Sequence, residues 1–120
     1  MKVKELTRAN SLPETFAIEN LATGECVVSI AENVTQVTSY VLDGETAQQK
    51  TEYVYDRTCN TVYAPDYDSA VAAFVALKYT YANEFALMRK GMNDPQNAEY
   101  LAYVAYVEEC KQFCRTKFTA

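Results

Sequence analysis

The sequence has no histidine and no tryptophan. Without histidine, a His-based catalytic triad, a His-ligated zinc site and a His proton switch are all excluded. Glycine is scarce, with only Gly24, Gly44 and Gly91, so no glycine-rich phosphate cradle can form. Ser11, Ser29, Ser39 and Ser69 lie in no nucleophile-elbow pattern. Positive charge is also in short supply: 11 Lys and Arg stand against 16 Asp and Glu, a net of -5. That argues against a nucleic-acid binder working through a basic face. Apolar runs are too short to span a membrane. The N-terminal Met-Lys-Val-Lys-Glu-Leu-Thr-Arg lacks the apolar core of a signal peptide. The sequon Asn33-Val34-Thr35 therefore reads as a chance match. Four cysteines in 120 residues are too sparse for a disulfide scaffold, and a reducing cytoplasmic setting is expected.

What is present fits one globular domain of 120 residues, 49% hydrophobic and 22% charged. Residues 1–60 carry five basic and nine acidic side chains, and residues 61–120 carry six and seven. The apolar pattern changes near Ala64-Pro65. Before it, Phe16 and Ile18 alternate with Ala17 and Glu19, Ala22-Thr23-Gly24 offers a turn, and Cys26, Val28 and Ile30 alternate again. This is a hairpin signature. Val34 to Leu42 is rich in Val, Thr and Tyr, which suit a pleated surface, and Asp43-Gly44 stops it. Glu45 to Lys50 is polar without a period and reads as a mobile loop. Glu52 to Thr58 resumes as a strand, with Tyr53 and Tyr55 on one face.

After Ala64-Pro65 the spacing predicts two long helices. Asp66 or Asp68 caps the first, and Tyr67, Val71, Phe74, Tyr81, Phe85 and Met88 form its apolar stripe. Arg89 and Lys90 suit its C-terminal dipole, and Gly91 a left-handed stop. Asp94 and Pro95 restart a second helix, whose stripe is Tyr100, Tyr103, Val104, Val107, Cys110 and Cys114. Each helix would run about 23 residues, or ~35 Å. A compact domain of this length has a radius of gyration of roughly 13–14 Å, so the hairpin should span the domain or project from it. The expected fold is α+β: an antiparallel β-meander of about four strands, then a long antiparallel two-helix hairpin. Residues 1–13 are a candidate N-terminal arm, 14–64 the β-rich half and 65–120 the helical hairpin of a single domain.

Candidate chemistry is thin. Cys110 and Cys114 lie one helical turn apart and, with Cys26 and Cys59, form the only conceivable four-thiolate metal site. Their spacing is wrong for a zinc knuckle, and burial as small apolar groups is the expectation. Glu45, Glu52 and Asp56, with Asp66 and Asp68, match no calcium loop and read as a solvated acidic face. The strongest compositional feature is 10 tyrosines. Tyr79 and Tyr81 cannot share one helical face, and Tyr103 and Tyr106 strain a narrow seam. Tyrosine gives large contact area at low entropic cost. Tyr79, Tyr103 and Tyr106, with the rim cations Arg89 and Lys90, are therefore the candidate interaction surface.

The strands up to Val62-Tyr63-Ala64-Pro65 and the hairpin Tyr67 to Phe118 resemble, in organisation, small proteins from tail and baseplate regions of phages and prophages of Gram-positive bacteria. The resemblance implies a virion assembly or accessory role in a host cytosol and carries no residue roles with it. The expected function is a non-catalytic protein–protein interaction or assembly module, with a protein partner or self-association. No cofactor, metal, membrane or direct nucleic-acid contact is expected. The competing expectation is a small acidic virus-encoded inhibitor of a host nuclease or defence complex, whose binding would weaken steeply with salt.

Overall fold

A computed structural model describes residues 2–63 and 66–118. The junction at Ala64-Pro65 and the termini Met1, Thr119 and Ala120 lie outside the described residues, as does the composition change at that junction. Four strands form one antiparallel sheet: β1 (Val3–Ala9), β2 (Phe16–Asn20), β3 (Cys26–Asp43) and β4 (Thr46–Val62), in spatial order β1-β4-β3-β2. Three helices follow: α1 (Tyr67–Lys78), α2 (Tyr81–Asn93) and α3 (Ala98–Lys117). The α+β reading holds, with three helices in place of the expected two-helix hairpin.

The β2–β3 hairpin forms where the sequence suggests. Gly24 takes φ +90 between β2 and β3, a conformation that only glycine adopts freely. Gly44 takes φ +67 at the first central position of the two-residue β3–β4 turn, the requirement of a type II′ hairpin. Three expectations fail. Residues 26–30 and 34–42, expected as two strands of the meander, are one strand, β3, carried through a bulge by its pairing with β4. Residues 3–9 are no free arm, since Val3 pairs with Cys59 and Ala9 with Tyr53 along the edge of β4. Glu45 to Lys50 is no loop, since all but its first residue lie in β4, where Thr46 pairs with Asp43 and Lys50 with Ser39. Its polar side chains hide a strand whose order comes from the ladder rather than from burial.

β3 has 18 residues and β4 has 17. At ~3.3 Å per residue such strands reach ~60 Å, and the molecule measures 64 × 38 × 25 Å. The radius of gyration is 18.1 Å, well above the roughly 13–14 Å of a compact chain this size. The projecting element is thus the strand hairpin, not the helical one. A bulge between Glu32 and Thr35 divides it, with Asn33 at φ +54 and its amide donating to Asp56 Oδ2 at 2.9 Å. Below the bulge the sheet has flanking strands on both sides. Beyond Gln36 and Tyr53 it is a bare two-stranded arm.

The helices cover one face of the base. Phe16, Val28 and Ile30 of the sheet meet Phe74 of α1 and Cys110 and Cys114 of α3 in one core. Phe16, Phe74 and Phe113 form a triangle with ring centroids 5.4–5.6 Å apart. Asp66 caps α1 by accepting the Ser69 amide at 2.8 Å. The long first helix expected from the spacing stops at Tyr79. Tyr79 is extended, and Thr80 caps α2 by accepting the Asn83 amide at 3.2 Å. A Thr hydroxyl at this point offers the backbone a partner that competes with helix continuation. α3 is capped by Asn97, which accepts the Tyr100 amide, rather than by Asp94. Gly91 is not a left-handed stop either. It is buried inside α2, where a Cβ would collide with the Tyr100 ring.

Candidate functional site

The break at Thr80 decides which aromatic rings face water. Tyr79, freed from the helix, turns its ring onto Tyr103 and Tyr106, with centroids 5.1 and 5.7 Å away. Tyr103 and Tyr106 were expected on an interaction surface, and both are instead buried at 7% exposure. Their hydroxyls have partners inside the fold: Tyr106 donates to the Phe74 carbonyl and Tyr103 to Glu84 Oε1, each at 2.6 Å. Burial, with the Glu84 carboxylate alongside, pushes the Tyr103 phenol up to about 12. Burial likewise raises the Tyr106 phenol. Tyr79 is half-buried, so the tyrosine trio is a core wall. Arg89 is exposed, and Lys90 pairs with Glu99 at 2.8 Å to tie α2 to α3.

The outer surface is made by residues that the spacing had assigned to the core. Tyr81, Phe85, Met88 and Met92 recur at helical spacing along one side of α2, with exposures of 81, 66, 47 and 84%. Sequence reasoning joined the first three to Tyr67, Val71 and Phe74 because it ran one helix through Thr80. With α2 redirected, its inward positions are Leu87 and Gly91, and the Tyr81 stripe points outward. Met92 was missed altogether. The only signal for it is its place four residues after Met88.

Tyr81 also borders a groove of about 530 Å³ between α1 and the two later helices. Tyr67, Val71 and Val75 line one wall, Tyr103 and Val107 the other, and Asp68, Glu84 and Lys111 are its polar members. Stripe and groove are thus continuous through Tyr81. Isolated apolar residues on a surface need no explanation, but a row of four bulky ones does.

Burial pushes the Cys110 thiol up to about 12 and the Cys114 thiol up to about 11, which makes both poor nucleophiles. The four cysteines do not converge. Cys26 lies in the core, whereas Cys59 pairs with Ser29 and Val3 and so faces the other side of the sheet. Among the described residues no cluster of acidic or thiol groups could hold a metal ion. The expected acidic face is dispersed. Glu52 lies between Arg8 at 3.3 Å and Lys50 at 3.5 Å, and Asp56 accepts from Asn33. Asp66 is occupied as a cap, and accepting the Ser69 amide holds its carboxyl below the usual range. Among the described residues no helix is long and apolar enough to cross a membrane.

Comparison with known protein families, with curated proteins and with solved structures finds no match.

Proposed function

We propose that this chain is a non-catalytic protein–protein interaction or assembly module, and that the outer side of α2 is its docking face. The observation that carries the reading is the solvent-facing row Tyr81, Phe85, Met88 and Met92 beside the groove. Full burial of such side chains contributes roughly 1.5–3 kcal/mol each. Four of them are enough to offset much of an association cost of about 4–15 kcal/mol. The surface calls for an apolar protein partner. Two methionines let it adapt to an irregular one. The sequence's resemblance in organisation to small phage tail and baseplate proteins suggests the setting we assign to it: assembly of a phage particle or of its parts. The competing reading, an acidic inhibitor, has less to draw on, because Glu5, Glu32 and Glu52 already have cationic partners within 4 Å.

The test is the double substitution Phe85→Ser with Met92→Ser. Light scattering at low and at high salt should show a salt-insensitive association step in the parent chain that the double variant loses, leaving it no larger than a dimer. The thermal midpoint should stay within a few degrees. A loss of several kcal/mol in unfolding free energy would mean that these side chains are core, and the reading would fall.

A further inference from the structure

The arm is the least explained part of the molecule. A two-stranded ribbon is marginal by itself in water, and three or more strands are normally needed. The arm's two edges differ. The β4 edge, Thr46 to Glu52, carries Lys50 and Glu52, with Arg8 of β1 reaching Glu52 at 3.3 Å. Charges of this kind are how edge strands resist pairing. The β3 edge, Thr35 to Val41, reads Thr-Gln-Val-Thr-Ser-Tyr-Val. It has no charge, no proline and no glycine, and its residues favour strands.

We infer that the β3 edge of the arm pairs antiparallel with the same edge of a second copy, about a two-fold axis at Thr38. The uncharged stretch selects this register, because Thr38 is the midpoint of Thr35 to Val41. β2 stops beside Ile30, and Thr15 accepts the Ala31 amide at 2.9 Å, so the free edge begins at Glu32. It ends at the Gly44-Glu45 turn. With Thr38 opposite its own copy, Thr35 to Val41 pairs wholly with the same stretch of the other chain, and the ladder stops short of the bulge between Glu32 and Thr35. Shifting the axis toward either end leaves part of this uncharged stretch without a like stretch opposite it. In the selected register Thr35 faces Val41, Gln36 faces Tyr40 and Val37 faces Ser39, so no like charges oppose. The contact is isologous and closes at two copies, turning two bare ribbons into one four-stranded sheet. It uses a surface separate from the α2 face and does not rest on the reading of that face.

The test is a charge swap on the axis. Thr38 is exposed, so Thr38→Lys and Thr38→Glu leave the chain folded by circular dichroism. Each variant alone sets like charges directly opposite each other and should dimerise more weakly than the parent by up to about 5-fold. An equimolar mixture of the two should recover the parent's dimerisation, measured by sedimentation or light scattering across a dilution series. The parallel sample is Phe85→Ser with Met92→Ser, which should still pair through the arm. A parent chain that stays monomeric up to sub-millimolar concentration overturns the inference. So does a dimer that both Thr38 variants keep when Phe85→Ser and Met92→Ser are also present, or a mixture that fails to recover. If association survives both Thr38 variants but is lost in the α2 variant, the arm inference falls and the α2 reading stands.

Discussion

The near and far halves of the β3–β4 hairpin belong to one ladder and live in opposite surroundings. In the near half Val28 and Ile30 are buried against α1 and α3, at 0 and 2% exposure. In the far half Val41 and Leu42 stand in solvent at 50 and 76%. Both halves alternate and both carry β-favouring residues, so local preference does not separate them. The difference is what lies overhead. Helices α1 and α3 cover the base, whereas the arm meets the rest of the described chain at its root, where Arg8 reaches Glu52. Hydrogen-bond pairing can extend a strand well past the point where burial supports it, and the extension then becomes available to a partner.

The sharpest way to break this contrast is to empty the base. Phe74 is the fully buried corner of the aromatic triangle. Phe74→Ala should cost about 3–5 kcal/mol in urea unfolding. A loss under about 1 kcal/mol would mean that the helices do not clamp the sheet as described. Alkali should act on the same half. The Cys110 and Cys114 thiols are held at about 12 and about 11, against 9.0 for a free thiol. Below about pH 9 both folded and unfolded thiols are neutral, and this contribution is fully present. Above it the unfolded thiols ionise first, so stability falls as pH rises through the folded values. The urea midpoint should therefore decline between pH 9.0 and about 11. A flat midpoint would remove these thiols from the core. The smallest effect belongs to the arm: Val41→Ala, in chain dilute enough not to associate, should change stability by no more than about 0.5 kcal/mol. A loss comparable to that at Phe74 would show that the arm is covered within a single chain.

Much of the architecture was legible. The division into a strand half and a helical half follows from a change of apolar period, and Gly24 and Gly44 mark turns because positive φ favours glycine. Cys110 and Cys114 fall on the buried side of α3, as their spacing requires. The candidate site was barely legible. Tyr103 and Tyr106 looked surplus to a narrow seam, yet each ring is buried and each hydroxyl finds an acceptor on another helix, Glu84 and the Phe74 carbonyl. Phe85 and Met88 looked like core, yet one Thr80 hydroxyl redirects their helix.

The sequence by itself determined the secondary-structure classes, the turns and the exclusion of histidine chemistry, because these depend on residue type and on neighbours a few positions away. Tertiary structure alone decided the rest: that Val3–Ala9 is a strand, that the polar run after Glu45 pairs as one, and that the Tyr81 stripe faces water. Pairing partners and the covered face are set by contacts between residues far apart in the chain. A period records which residues share a side, and only packing determines whether that side faces the core or the solvent.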